Sequence, residues 1–152
     1  MPEQETIERA REDEREGKAP STQAGEFVRE EIHHIREGKH GARNTKQAVA
    51  IGLSKARRAG VKLGAPNPKT SSARTRKKAA QDSARGRRRT KTSAKRSRAS
   101  KGALKREGPS AASSRALARQ AHSGASRRGR KNRVEAAKKA TRTRSRERSR
   151  RG

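Results

Sequence analysis

Large apolar residues are concentrated in one part of the chain, residues 21–63. That stretch contains nine of them, whereas the 88 residues that follow position 64 contain only Leu104, Leu117 and Val134. Folding has to bury enough apolar surface to offset the conformational entropy that the chain loses. The distribution therefore predicts that any packed core lies within residues 21–63.

The spacing of the apolar residues in this stretch predicts two amphipathic helices, over about residues 22–37 and 45–59. In each half the residues recur at intervals of three and four, which places them on one helix face. The first stripe is Ala24, Phe27, Val28, Ile32 and Ile35. The second is Ala48, Val49, Gly52, Leu53, Ala56 and Ala59. A glycine inside a helix costs about 1 kcal/mol relative to alanine, so we expect another backbone to approach Gly52 closely.

Both helices carry end signals in the sequence. Ser21 or Thr22, which follow Pro20, is suited to the N-cap of the first helix, because a hydroxyl can accept a hydrogen bond from a free backbone N–H. Asn44 is suited to cap the second helix, and Gln47 completes a capping box. The glycines predicted to end the two helices are Gly38 and Gly60. Two helices joined by about six residues form an αα-hairpin.

A hairpin of this size has a small core and needs further support. The acidic lead-in, residues 1–20, contains Ile7 as its large apolar residue beyond Met1, and a weaker helix is predicted over residues 3–16. Packing of this helix, or a homodimer through the hairpin, would supply the missing contacts. The predicted fold is mostly α, and its parts are the lead-in 1–20, the hairpin module 21–63 and a basic tail 64–152.

Charge is distributed very unevenly over a chain whose formal net charge is +29. Residues 1–64 contain 13 Lys and Arg against 11 Asp and Glu, whereas residues 65–152 contain 31 against 4. Low hydrophobicity with high net charge is typical of disordered chains, so the tail is predicted to be disordered. The asymmetry indicates a nearly neutral module attached to a segment that binds polyanions.

The basic tail predicts nucleic-acid binding through phosphate contacts, because each neutralised phosphate releases condensed counterions. Arginine outnumbers lysine in the tail, and its planar guanidinium suits bidentate phosphate contact. The chain has no Trp or Tyr on which single-stranded bases could stack, so duplex DNA is favoured and sequence specificity should be low. The expected contact residues are Arg57, Arg58, Lys62, Arg87, Arg88, Arg89, Lys95, Arg96, Arg98, Arg127, Arg128, Arg130, Lys131, Arg142, Arg144 and Arg146.

Two other functions fit the same composition. An RNA-associated or ribosome-associated protein has the same electrostatics, and the sequence does not separate it from a DNA-binding protein. In the second alternative, residues 21–63 form a protein-interaction module and the tail only localises it. Both alternatives stay open at the level of sequence.

Several classes of protein are disfavoured by what the sequence lacks. It has no cysteine, which excludes disulfides and thiolate metal ligands. No apolar run reaches the length of a membrane span and the acidic N-terminus is no secretory signal, so we expect an intracellular protein without a membrane partner. No catalytic signature is present, so we expect neither enzyme activity nor a cofactor. Glu30 and His34 have the i, i+4 spacing of metal ligands, but we expect surface histidines and no metal site.

Residues 46–60, KQAVAIGLSKARRAG, resemble the core motif of a family of small basic bacterial proteins, some of which are labelled DNA-binding. The preceding residues 21–43 also resemble longer members, so the similarity covers roughly residues 6–63. This resemblance implies a bacterial protein of the cytoplasm or nucleoid, and it implies no activity or site residues. The tail resembles the ends of linker histones and histone-like bacterial proteins in composition only. We therefore expect a nucleoid-associated or DNA-protecting protein.

Overall fold

The computed structural model describes residues 1–88 and 93–151, and it is mostly helical. Over these residues the helices are α1 (Gln4–Arg15), α2 (Pro20–Arg36), α3 (Thr45–Arg58), α4 (Ala73–Arg88), α5 (Ala94–Lys105) and α6 (Ser114–Arg151). A 3-10 turn, Pro109–Ala112, precedes α6. The described residues contain no β-strand, and the mostly α fold class is confirmed.

The chain forms two compact units, and the first, residues 1–113, contains the helical hairpin. Helix α2 packs against α3, α1 packs on α2, and α4 packs on α3. Phe27 is fully buried at the centre of this unit, together with Ala10 from α1, Ala24 from α2 and Ala56 from α3. Helix α1 thus supplies the support that the small hairpin core needs, and a homodimer through residues 21–63 stays a prediction.

Backbone contact between α2 and α3 occurs at Gly52. A Cβ atom at this position would lie 2.7 Å from the Cα of Val28 and 3.0 Å from its backbone nitrogen. Carbon atoms do not approach this closely without repulsion, so only glycine allows the present spacing of the two helices. The expected close approach of another backbone to Gly52 is confirmed.

Three of the four predicted end signals of α2 and α3 are found at the observed helix ends. Asn44 caps α3, and its side-chain oxygen accepts a hydrogen bond of 2.9 Å from the backbone N–H of Gln47. Helices α2 and α3 are followed by Gly38 and Gly60, whose φ angles are +73° and +103°. The predicted N-cap of α2 was wrong, because the helix begins at Pro20. Proline suits the first helical position, where its missing N–H would have had no intrahelical partner.

The prediction that residues 64–152 form a disordered tail was wrong, because α4, α5 and α6 lie in this part of the chain. The expectation was based on the scarcity of large apolar residues. Alanine, arginine and lysine are, however, among the strongest helix formers, and they dominate this sequence. Part of the region also packs on the hairpin through small residues, of which Ala79, Ala111 and Ala112 are buried.

Hydrogen bonds attach the end of α5 and the 3-10 turn that follows it to the hairpin. The backbone N–H of Gly41, in the α2–α3 loop, donates to the carbonyl of Leu104 at 2.9 Å. In the 3-10 turn, the carbonyl of Ala111 accepts from Thr45 Oγ1 at 2.7 Å, and the carbonyl of Ala112 accepts from Arg36 Nε at 3.0 Å. Backbone carbonyl groups thus attach this region to the hairpin, although the region contains few large apolar residues.

The second unit begins at Ser114 and consists of α6. Its helix is interrupted at Gly129, which has φ +71° and ψ 162°, so two helical segments meet there. Val134, on the second segment, is exposed, so this helix has no buried apolar stripe comparable to that of α2. None of the described helices combines the length and the apolar character needed to cross a membrane.

Replacing Gly52 and Gly25 by alanine should change stability in opposite directions. Gly52→Ala pushes α2 and α3 apart, and we expect it to lower the free energy of unfolding by about 1–3 kcal/mol. Gly25 lies in α2 with no atom within 4 Å of the new Cβ. Gly25→Ala should therefore raise the free energy of unfolding by up to about 1 kcal/mol, through helix propensity alone. Urea denaturation measures both changes, and equal effects would contradict the close packing at Gly52.

Candidate nucleic-acid interface

The C-terminal ends of α3 and α4 bring four of the predicted contact residues into one region. Arg57 and Arg58 end α3, and Arg87 and Arg88 end α4. The two ends are adjacent, since a Cβ on Gly86 would lie 2.3 Å from the carbonyl oxygen of Arg57. Cations at helix C-termini also offset the partial negative charge of the helix dipole. The fold thus concentrates positive charge from two distant parts of the sequence.

Three of the predicted contacts near the end of α3 are already engaged within the protein. Arg57 Nη2 donates to the carbonyl of Gly64 at 3.2 Å, and Arg58 Nη2 donates to Ser54 Oγ at 3.1 Å. Lys62 Nζ lies 3.7 Å from a carboxylate oxygen of Glu14. These side chains therefore make contacts that stabilise the folded unit, and they also add to its positive charge.

The predicted contacts on α4 and α5 are exposed. They are Arg87, Arg88, Lys95, Arg96 and Arg98. Helix α5 contains no acidic residue, so its cations have no carboxylate on the same helix to pair with. Arg89 was also predicted as a contact, and it lies outside the described residues.

Helix α6 contains the remaining predicted contacts, and all of them are exposed: Arg127, Arg128, Arg130, Lys131, Arg142, Arg144 and Arg146. Between residues 114 and 150 this helix contains fourteen Lys and Arg against two Glu, and each of the fourteen is exposed. Several cations lie four residues apart, for example Arg142 and Arg146, and such pairs repel one another by a few tenths of a kcal/mol. Bound phosphates would remove this repulsion.

A buried carboxylate, which sequence reasoning missed, fixes α4 against α3. Asp82 of α4 is 2% exposed, and its Oδ2 accepts a hydrogen bond of 2.7 Å from Ser54 Oγ of α3. Its other oxygen lies 3.8 Å from Arg58 Nε and 3.7 Å from Lys78 Nζ. The signal in the sequence was that Asp82 is the one aspartate among residues 65–152. It acts as an internal counterion that holds basic helices together.

A second buried ionic cluster lies between α2 and α3. Lys55 Nζ lies 2.9 Å from Glu30 Oε1 and 2.8 Å from Glu31 Oε2, and both carboxylates are buried. Burial alone would lower the pKa of Lys55, but attraction to Glu31 and Glu30 outweighs it and raises this pKa above the usual value. Lys55 is therefore not available to bind phosphate beside Arg57 and Arg58.

The sequence predicted surface histidines, and this is correct for only some of them. The side chain of His33 is at the surface and 65% exposed. The side chains of His34 and His40 are only 11% and 15% exposed, and they lie beside the carboxylates of Glu30 and Glu31 respectively. The apolar spacing in α2 does not predict the burial of His34. The residue that covers it, Glu3, lies just before α1 and is distant in sequence. Among the described residues, one ligand atom each of Glu31, His34 and His40 come within 4.8 Å of one another, as in a metal site.

Removal of the Asp82 carboxylate should loosen α4 from α3. Asp82→Ala leaves Ser54 without its acceptor and Arg58 and Lys78 without their shared anion, so we expect the free energy of unfolding to fall by about 1–3 kcal/mol. The loss should appear even though alanine is the better helix former. Urea denaturation checks this result.

Glu135→Ala is the matched control for Asp82→Ala, because it makes the same change in net charge at an exposed position of α6. We expect its effect to lie within about 0.5 kcal/mol of zero. Similar losses in the two variants would mean that net charge, and not the contact with Ser54, determines the effect of Asp82.

Residues 46–60, for which the sequence predicts a family resemblance, form most of α3 and the turn after it. Its small residues, among them Gly52 and Ala56, are buried in the hairpin. No protein-family model matches the chain, and neither do any curated proteins or solved structures. The proposed function therefore depends on the residues of this chain alone.

Proposed function

We propose that this protein binds nucleic acid without sequence specificity, through phosphate contacts of the exposed Lys and Arg residues on α4, α5 and α6. Duplex DNA is the favoured partner, and the cellular role is that of a nucleoid-associated or DNA-protecting protein of the bacterial cytoplasm. The observation that carries this proposal is the exposure of all fourteen cations between residues 114 and 150 of α6.

The spacing of charge along the second segment of α6 suits a phosphate backbone. Residues 130–150 contain ten Lys and Arg, and as a helix they extend about 32 Å. This gives about one cation per 3 Å of helix axis, close to the 3.4 Å per phosphate along one DNA strand. The helix has cations on all sides, so contact with either wall of a groove is favourable.

The absence of available aromatic groups favours backbone contact over base stacking. Phe27 is 1% exposed in the hairpin core, and the chain has no Trp or Tyr. Proteins that bind single strands usually stack bases on such rings. An α-helix about 10–12 Å across also fits the major groove of B-DNA, about 12 Å wide. The major groove of A-form RNA is too narrow for it.

Residues 1–64 contribute little net charge to this binding, because their 13 Lys and Arg are nearly balanced by 11 Asp and Glu. Arg9 Nε of α1 lies 2.7 Å from Glu26 Oε2 of α2, and Lys18 Nζ lies 2.9 Å from Asp13 Oδ1. Carboxylates that are paired internally repel an approaching polyanion less than free ones do. The folded unit can thus lie near nucleic acid although it contains most of the acids in the chain.

Neutralising three arginines of α6 should weaken the salt dependence of DNA binding. If Arg142, Arg144 and Arg146 each contact a phosphate, the triple change to glutamine reduces the slope of log K against log salt by about 2.7. Fluorescence anisotropy with a labelled duplex, measured between low and moderate salt, gives this slope.

A matched control makes the same change in net charge on the hairpin unit, with Arg11, Arg15 and Arg29 changed to glutamine. All three are exposed, and Arg15 and Arg29 lie beside the carboxylates of Glu12 and Glu26. We expect the slope of this variant to remain within about one of the wild-type value, since its arginines make no phosphate contacts. Equal losses of slope in the two triple variants would contradict binding through α6.

Competition between nucleic acids tests the preference for duplex DNA. We expect unlabelled duplex DNA to displace a labelled duplex at lower concentration than RNA duplex of the same length and salt, because α6 does not enter the A-form major groove. The reverse order would favour an RNA-associated or ribosome-associated protein. No binding of the labelled duplex at low salt would instead favour a protein-interaction module with a localising tail.

A further inference from the structure

Glu31, His34 and His40 form a cluster in which both histidines have the tautomers that metal-binding histidines have. His34 Nε2 lies 2.8 Å from Glu3 Oε1, and a carboxylate can only accept, so this nitrogen donates. His40 Nδ1 lies 3.1 Å from the carbonyl oxygen of Gly41 and donates for the same reason. In each neutral ring the second nitrogen then has a free lone pair. Histidines that bind metals are held in this way, by an acceptor on the outer nitrogen.

The free lone pair of His40 points to a carboxylate. His40 Nε2 lies 3.3 Å from Glu31 Oε1, and two acceptors at this distance need a cation or proton between them. Ligand atoms 2.0–2.1 Å from a tetrahedral zinc ion are themselves about 3.3 Å apart. This pair therefore already has the separation of two zinc ligands.

His34 Nδ1 is the remaining nitrogen with a lone pair. It lies 3.9 Å from Glu30 Oε1, outside hydrogen-bonding distance. The cluster as a whole holds one ligand atom each from Glu31, His34 and His40 within 4.8 Å. A small inward movement of the rings would complete three ligands around one ion.

Glu31 is the least satisfied group of the cluster. It is 0% exposed, and neither of its carboxylate oxygens makes a hydrogen bond. Lys55 Nζ forms an ion pair with Oε2 at 2.8 Å, whereas Oε1 lies 3.3 Å from His40 Nε2. Burial of a carboxylate without hydrogen bonds costs folding free energy, so a cation bound to Oε1 would stabilise the folded protein.

An open cleft from solvent reaches His40. It has a volume of about 600 Å³ and is lined by residues that include Lys39, His40, Gly41 and Lys105. His40 thus lies both on the cleft and beside the buried Glu31, and we expect water to fill a fourth coordination position from this side. Two histidines, one glutamate and a water are a donor set found at catalytic zinc sites.

We propose that Glu31, His34 and His40 bind one divalent transition-metal ion of the zinc class, with Glu3 and the Gly41 carbonyl as the outer partners that orient the two rings. This site is separate from the basic helices of the proposed function. It would join α2 to the α2–α3 loop, and through Glu3 it would also join the N-terminus to them.

Zinc binding by the full-length protein tests the proposal directly. Nucleic-acid-free protein, stripped with a chelator, is titrated with zinc chloride in competition with a chromogenic chelator. We expect one equivalent to bind to the wild type. His34→Ala and His40→Ala should each weaken binding at least tenfold, whereas the matched controls His33→Ala and His122→Ala should bind as the wild type does.

Glu3→Ala keeps the test valid if the histidine variants do not fold. The Glu3 side chain is half exposed, so its replacement should preserve the fold, and the loss of an outer partner typically weakens metal binding by about 10–100-fold. Glu5→Ala, at an exposed position in the first turn of α1, is its control. No stoichiometric binding by the wild type, or wild-type affinity in His34→Ala, His40→Ala and Glu3→Ala, would overturn the site.

Discussion

Close approach of backbones, made possible by small side chains, is the constraint on which the structure depends. The spacing of α2 and α3 requires that residue 52 have no side chain, because Val28 occupies the space that a Cβ would need. The same condition recurs at Gly86, where α4 meets α3, and at Gly41, where a Cβ would lie 1.8 Å from the carbonyl oxygen of Glu107. Two contacts between helices and one contact between loops thus depend on glycine in a chain poor in large apolar residues, and alanines fill most of the remaining interior.

This kind of interior explains what could be predicted from the sequence and what could not. The hairpin was predictable because Phe27 and Ile35 recur with helical spacing and because Asn44 and Gln47 are specific cap residues. The docking of α4 was not, because a count of large apolar residues overlooks alanine and does not register Asp82 as a packing residue. The buried histidines were missed for a related reason: their environment is assembled from segments distant in sequence.

The ionic interactions divide the chain into two electrostatic regimes. In the hairpin unit, acids and bases are matched across helices, and Lys55 with its two glutamates is buried where salt screens it weakly. On α6 the positive charges have few partners and face solvent, where salt screens them strongly. One chain thus combines a nearly neutral N-terminal part, residues 1–64, with a helix whose Lys and Arg side chains are exposed.

The interruption of α6 at Gly129 has a consequence for the path that this helix can follow. A φ of +71° is readily adopted by glycine and rarely by other residues, so the change of direction is specified by a single position. A straight helix diverges from a groove that winds around the DNA axis. Two shorter rods joined at a corner can each follow a different stretch of that curve, with Arg128 and Arg130 on either side of the corner. If α6 binds duplex DNA as proposed, the position of Gly129 would determine where the bound helix turns along the groove.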